Sequence, residues 1–595
     1  MKLLQASVVA AAIAGTFALP ARAQFTYPGC DNLASSNFQF TELFNRTGTP
    51  AANVTNPTGT EPVQMAIQGV WSGDSILYTN VYWVERKGKV KFYDGLAKTI
   101  DSVGYIATWA GQSGAGNQND NGLMGIVLDP NFNTNKQIYF WYSPTLASST
   151  QNRRMRLSRI TLNSGNKLDM STEKILLDIF GSKTDQWHSG GPMTFDAYGD
   201  LWIAVGNNSQ DVTAGGGQYS TTDSSASAEW GSSNTASLRG GVLRIHPDNS
   251  ARGYSIPSGN FGEYWANVFQ GQGKTALAAR YRDTTKVRPE IYVKGTRSNY
   301  SIAVHPTKRW LLWGEVNYNT VSDEFNIVGA PAFTGFPYFH ANNQALPRPS
   351  SVVAKDVAAP TNLNPMNSGV DTLPPATKPV YWYGTAMTDT TITNSNVAIG
   401  GPLYLYDPAL KSAVKFPPHL DKRWFMTSYL SNQMWISGAI DTATLKPAGA
   451  ATRADNGILP QTWRNPIDML FGPDGALYML TYGTGSNYAQ GNFNVTRMAY
   501  TGTCRPGPTA LQAAAPSEGV LKVSFLGDRI TVREAGSHVI SLISMDGKAV
   551  YRNTGVFGAE YSFSALRAES GVRAGVYLLQ VKTARGSYVR HISLL

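Results

Sequence analysis

The sequence predicts an all-β chain, a β-propeller followed by a small β-sandwich. Three observations carry this. Short runs rich in Val, Ile, Tyr and Trp recur between Gly, Asn, Asp and Pro clusters. Amphipathic stretches of helical period are nearly absent between them, which argues against a parallel sheet with crossover helices. The same two-strand signature also returns along the chain with irregular spacing. Leu128-Asp-Pro-Asn-Phe132 leads to Gln137-Ile-Tyr-Phe140, and Phe195-Asp-Ala-Tyr-Gly-Asp200 to Leu201-Trp-Ile-Ala204. Val304-His-Pro-Thr-Lys-Arg309 leads to Trp310-Leu-Leu-Trp313, and Phe471-Gly-Pro-Asp-Gly475 to Ala476-Leu-Tyr-Met-Leu480. Repeated strand–turn–strand units of this kind read as propeller blades. A two-sheet sandwich is the competing architecture, and nearly 500 residues is too long for one.

Taken in order, Lys2, the apolar run Val8 to Leu19 and the small-x-small pattern Ala21-Arg22-Ala23 predict a secretory signal over residues 1–23. No later run is apolar and long enough to span a bilayer, so the mature chain is expected to have no transmembrane segment. Residues 24–504 form the predicted propeller. Its strands include Ile76–Val84, Lys89–Tyr93, Gln137–Ser143, Leu201–Val205, Gly241–Ile245, Leu311–Trp313, Leu403–Tyr406, Trp424–Thr427 and Ala476–Leu480. Residues 505–518, with Pro and a run of Ala, read as a linker. Residues 519–595 read as a separate sandwich, with strands around Val539–Ile543, Tyr561–Phe563, Gly575–Lys582 and Tyr588–Leu594.

Composition excludes several classes. The 595 residues carry 50 Lys+Arg against 40 Asp+Glu, a formal +10, and 42% of them are hydrophobic. A disordered chain is therefore excluded. The tail alone holds 10 basic and 5 acidic residues, so much of the excess lies outside the propeller. No basic run with interleaved aromatics suggests nucleic-acid binding. Two cysteines, Cys30 and Cys504, cannot staple so long a chain. In an oxidising compartment they could bridge the two ends of the propeller, or remain two buried thiols.

The seven histidines form no HExxH and no tight His/Cys cluster, which argues against a dedicated zinc site. His188 is distinguished by its setting, Trp187-His-Ser-Gly-Gly191. Paired glycines allow close backbone approach, and a loop histidine is a candidate base near neutral pH. A structural turn histidine is the plainer reading. Tyr381, Trp382, Tyr383 and Trp463 are candidates for stacking on a sugar ring.

Eight segments give the chain a likeness to a known family. They are Gly122-Leu-Met-Gly-Ile-Val-Leu-Asp-Pro-Asn-Phe132, Trp187-His-Ser-Gly-Gly191, Gly240-Gly-Val-Leu-Arg-Ile-His-Pro-Asp248, Pro289-Glu-Ile-Tyr-Val-Lys-Gly-Thr-Arg-Ser-Asn299, Gly314-Glu-Val316, Asp323-Glu-Phe-Asn326, Gly335-Phe-Pro-Tyr338 and Gly472-Pro-Asp-Gly-Ala-Leu-Tyr478. In order and spread, from about Val70 to Met498, they resemble the glucose/sorbosone dehydrogenases, soluble enzymes that hold pyrroloquinoline quinone at the mouth of a six-bladed β-propeller. The resemblance implies that His188 is the general base, that Arg297 faces cofactor and substrate, and that Asp120 lies near the cofactor. It implies a calcium ion gripped by main-chain carbonyls near Val316 and Asn317, with Asp323 and Glu324 in the calcium-binding stretch. Oxygen donors of this kind suit calcium chemically. The family's cofactor-clamping cations fall on Ser431, Asn465 and Ile467, none of them basic, and Arg464 is the neighbouring candidate for the cofactor.

The tail resembles the C-terminal sorting domains of the bacterial type IX secretion system through Ile543-Ser-Met-Asp-Gly-Lys548, Ala574-Gly-Val-Tyr-Leu-Leu-Gln-Val-Lys582 and Tyr588-Val-Arg-His-Ile-Ser-Leu-Leu595. A carbohydrate-binding or plain accessory sandwich is the alternative. The expectation is thus an oxidoreductase, secreted or on the outer cell surface. It would oxidise a sugar hydroxyl with hydride transfer to pyrroloquinoline quinone, and would meet an external electron acceptor and the secretion machinery. The alternative is a non-catalytic secreted propeller that binds glycan and retains a calcium loop.

Overall fold

The computed structural model describes residues 37–45, 61–111, 120–145, 154–181, 187–209, 220–222, 227–317, 323–346, 356–383, 397–430, 433–453, 465–483 and 493–502, and most of 523–594. The signal, the linker, Cys30, Cys504, Ser431, Trp463 and Arg464 lie outside the described residues. The chain divides into two compact units, Met1–Cys504 and Arg505–Leu595.

The larger unit is predominantly β, built of antiparallel sheets in sequence order, an arrangement consistent with a propeller-like fold. The first sheet is Pro62–Ser72, Ser75–Glu85, Lys89–Asp94 and Thr99–Tyr105; the second is Leu123–Leu128, Gln137–Tyr142, Arg154–Leu162 and Leu168–Phe180. The third runs Met193–Phe195, Leu201–Val205, Gly241–Pro247 and Ile291–Lys294, with Ala332–Phe333 added in parallel. The fourth is Asn299–Val304, Leu311–Glu315, Asp323–Val328 and Tyr381–Tyr383, and the fifth Ala398–Ile399, Arg423–Ser428, Gln433–Ala439 and Thr452–Arg453. The sixth is Pro466–Phe471, Leu477–Thr481 and Asn494–Tyr500, completed by Phe38–Asn45 from the other end of the unit.

The first strand of each sheet touches the first strand of the next, and that of the sixth touches that of the first. Hydrophobic burial holds the neighbours together, and a buried aromatic ring recurs. The second strand of each sheet carries a fully buried ring: Trp83, Trp141, Trp202, Trp313, Trp424 and Tyr478. Each such ring removes roughly 150–250 Å² from water, so each second strand carries one large anchor, at differing positions along the strand.

The predicted strands overlap observed strands, with ends displaced by a few residues; Leu403–Tyr406, for example, is reduced to Leu403–Tyr404. The poverty of helix holds except for a pair, Phe261–Gly271 and Thr275–Arg282. Their Phe261, Ala266, Phe269, Ala278 and Tyr281 form a buried face. The pair interrupts the third sheet between Gly241–Pro247 and Ile291–Lys294, and Gly271 at the end of the first helix with Gly273 beyond it breaks the helical pattern in two.

The smaller unit has a three-stranded sheet, Val523–Leu526, Arg529–Val532 and Ala559–Ser562, and a four-stranded sheet ordered Ala549–Gly555, His538–Ile543, Gly575–Thr583, Gly586–Leu594. Ile530 and Val532 of the first share one core with Ile540, Leu542, Leu579, Val581 and Ile592 of the second.

Candidate functional site

The sheet order itself assembles a site. Because the first two strands of each sheet are antiparallel neighbours, residues leading into the first and leaving the second lie at the same end. Glu61, Asp120, His188, Arg297 and Asn465 lead into first strands, while Arg86, Asn207, Val316, Tyr429 and Tyr482 follow second strands. Residues far apart in sequence are thereby gathered at one end of the unit. A cavity below the His188 loop, lined among others by Gln64, Met124, Gly190, Tyr300 and Asp468, draws on the first strands or their approaches in five of the six sheets. Burial pushes the Asp468 carboxyl up to about 7 there, although it accepts the N–H groups of Met65 and Met469 at 2.9 Å each.

The His188 loop is tied down along its length. His188 has a left-handed backbone, φ 56°, and its N–H donates to Asp120 Oδ2 at 2.9 Å. Its carbonyl accepts from Asn208 N–H at 3.0 Å. Trp141 Nε1 donates to the Ser189 carbonyl at 3.0 Å, and Ser189 Oγ donates to Asn121 Oδ1 at 2.6 Å. The glycine at 190 is required, since its φ is 74° and a Cβ there would lie 2.3 Å from the Ala204 carbonyl oxygen.

The imidazole is buried. Its Nδ1 lies 2.8 Å from the Ser209 carbonyl and 3.1 Å from Asn207 Oδ1. Burial, and secondarily the Arg297 charge, hold its pKa well below the ordinary imidazole value, so the ring is neutral at pH 7. Arg297 donates through Nη1 to the Val316 carbonyl at 2.7 Å and through its backbone N–H to Glu315 Oε1 at 2.8 Å. Glu315 also accepts from Trp313 Nε1 at 3.1 Å, and burial pushes its carboxyl up to about 7. Nearby, Asn207 Nδ2, Ser209 Oγ, Thr296 Oγ1 and Asn317 Oδ1 are buried with no partner among the described residues.

Residues 71–260 match the family model described as glucose/sorbosone dehydrogenase. That third of the chain includes the His188 loop. A protein of Synechocystis sp., named uncharacterized protein slr1608, is 21% identical over 334 residues, covering 54% of this chain and 71% of its own. Among solved structures, the chain is similar to the soluble aldose sugar dehydrogenase of Escherichia coli in its apo form, at 18% identity and a TM-score of 0.47, over 78% of this chain and 99% of that one. It is also similar to the aldose sugar dehydrogenase of Streptomyces coelicolor with pyrroloquinoline quinone bound, at 13% identity and a TM-score of 0.44, with the same coverage.

The residues expected to hold calcium are close together, but as placed they do not fit the ion. Asp323 Oδ2 accepts from Tyr383 OH at 2.9 Å and from the N–H groups of Val397 and Ala398 at 2.7 and 3.1 Å; Oδ1 accepts from Asn317 N–H at 3.0 Å. Glu324 accepts from Ala341 N–H and from Asn326 Nδ2, and Arg297 occupies the Val316 carbonyl. A calcium ion asks for 6–8 oxygens, and here those of Asp323, Glu324 and the Val316 carbonyl already face N–H and O–H dipoles and a guanidinium, while Asn317 Oδ1 is left without a partner among the described residues. Among the described residues no cluster of three or more His, Cys, Asp or Glu side chains is suited to a metal.

For a quinone bearing carboxylates, Arg297 is the described cation that fits, and the four orphaned polar atoms are the other groups beside it. Arg86 is already neutralised by Glu61 at 2.9 Å, and Asn465 and Ile467 bring no charge. Tyr381 and Tyr383, candidates for sugar stacking, are instead buried in the core with Trp424 and Trp435 on the outermost strand of the fourth sheet. Trp382 is half-buried on the same strand.

Sequence reasoning missed Asn207, Ser209, Glu315 and the Arg86–Glu61 pair. Asn207-Asn-Ser209 after a strand reads as an ordinary turn, and only the sheet topology carries it back to His188. Glu61 and Arg86 are 1% and 2% exposed. Removing one partner from such a pair leaves an uncompensated buried charge, so Glu61→Gln is expected to cost about 3–5 kcal/mol of stability, read by chemical denaturation. A loss below about 1 kcal/mol would contradict a desolvated pair.

Proposed function

We propose that this protein is an oxidoreductase of the sugar-dehydrogenase kind, a six-bladed β-propeller that oxidises a sugar hydroxyl at the His188 end. The neutral, buried His188, with its Nδ1 directed at two oxygens, is the observation that carries the reading. The family match over residues 71–260 supports it. His188 Nε2 takes the hydroxyl proton as the carbon–oxygen double bond forms. Arg297 holds the developing oxyanion, or a carboxylate of the acceptor, by its guanidinium. Pyrroloquinoline quinone, when bound, would supply the two-electron acceptor for the hydride. The protein's share is orientation, exclusion of water and the proton.

We also propose that the protein is secreted or displayed on the outer surface and passes its electrons to an external acceptor. Among the described residues no helix is long and apolar enough to cross a membrane. The tail is read as a two-sheet sorting sandwich for the type IX machinery. Removal of residues 519–595 is expected to retain the protein in the periplasm, and unchanged release would refute the sorting role.

The full mature chain, incubated with pyrroloquinoline quinone and a panel of aldoses, is expected to reduce an artificial dye. Absence of both quinone binding and turnover would refute the reading. The uncharged Asn465 and Ile467 favour one alternative, a secreted propeller that binds glycan without chemistry. Glycan binding without turnover would establish it.

A further inference from the structure

The catalytic use of a histidine depends on which ring nitrogen holds the proton, and this is settled by what the other atoms around the ring can accept. His188 Nδ1 faces two oxygens. One is the Ser209 carbonyl, which can only accept. The other is the Asn207 side chain, whose orientation is fixed because its Oδ1 also accepts the Ser209 N–H at 3.2 Å. Asn207 is in turn held by its own N–H, which donates to the Arg297 carbonyl at 2.8 Å. Two acceptors on one nitrogen require that nitrogen to be the N–H donor.

We propose that Asn207, together with the Ser209 carbonyl, is a positioning residue that locks His188 in the Nδ1–H tautomer and leaves Nε2 as the lone-pair base. The proposal rests on the reading of His188 as a base but concerns a property of the ring itself. Asn207 touches no substrate; it acts through the imidazole. Its neutral amide orients the ring without adding a negative charge beside it. An imidazolium at this position would therefore rely on the amide and carbonyl dipoles alone, with the Arg297 charge opposing it. The arrangement gives a base that stays unprotonated in mildly acidic surroundings. It also couples His188 to Arg297 through one residue, because Asn207 is bonded to both.

The test is ¹⁵N NMR of the full chain labelled at histidine, with His188→Gln used to assign the His188 signals. The wild type is expected to show a pyrrole-like Nδ1 and a pyridine-like Nε2 at pH 7. The isosteric Asn207→Asp retains both hydrogen bonds and adds a charge, and is expected to raise the His188 titration midpoint by about 1–3 pH units. A pyridine-like Nδ1 in the wild type, or an unmoved midpoint in Asn207→Asp, would overturn the proposal. The wild-type spectrum decides the tautomer alone, even if the variant does not fold. Spectra as expected without sugar oxidation would leave this assignment standing while the catalytic reading falls.

Discussion

His188→Ala is expected to lower sugar oxidation by about 10²–10⁴-fold, the range that a positioned general base contributes, while thermal unfolding and quinone binding stay close to wild type. The ring has a small structural share: it is buried at the loop tip and bonds through Nδ1 to a carbonyl and an amide of the same end. The loop conformation is held instead by backbone and neighbouring groups, chiefly Asp120 on the His188 N–H and Trp141 on the Ser189 carbonyl. The pH dependence follows from the lowered pKa of His188, caused first by burial and then by Arg297. A base with a depressed pKa remains unprotonated as pH falls through the usual imidazole range, so turnover should persist there and fail only at lower pH. If His188→Ala kept most of the wild-type turnover, the proton would be leaving by another group.

Gly206→Ala is expected to damage the same site from behind. Gly206 follows Leu201–Val205, and a Cβ on it would lie 1.9 Å from the His188 carbonyl oxygen and 2.5 Å from the His188 carbonyl carbon. Both atoms belong to backbone pinned on its far side, so they cannot move aside cheaply. Overpacking of this kind costs about 1–3 kcal/mol, and a displacement near 1 Å at the reacting group is enough for about 10²-fold in rate. The variant should therefore lose turnover out of proportion to its lost stability, measured as kcat/KM beside a denaturant titration. Wild-type turnover in a folded Gly206→Ala protein would mean that the loop relaxes freely.

How much of this was legible in the residues differs between levels. Strand positions were, because Val, Ile, Tyr and Trp runs between turn residues are local signals, and Leu201–Val205 was read to the residue. His188 and Arg297 were legible as motif residues, and the structure brings them into electrostatic contact. The completion of the sixth sheet by Phe38–Asn45 was not legible, since the pairing spans more than four hundred residues and nothing in FQFTELFN names its partner. The calcium stretch was legible only as a set of donors. Asp323 and Glu324 have the right oxygens, but strand pairing buries Asp323 beside Tyr383 and the Val397–Ala398 backbone, which take those oxygens for hydrogen bonds. Asn207 was invisible for the opposite reason. An amide in a Gly-Asn-Asn-Ser turn carries no chemical signature until an antiparallel strand pair returns it to the histidine.

The proposed loss of a sugar hydroxyl's proton to His188 takes place at this end of the larger unit. It is tested most directly by kcat/KM against pH for aldose oxidation by the quinone-loaded full chain, in wild type and His188→Ala. The account predicts turnover that holds from neutral pH down through the ordinary imidazole range in the wild type, and a uniformly low, pH-insensitive residue in the variant. No aldose turnover in the wild type, or the same acid limb in both proteins, would contradict it.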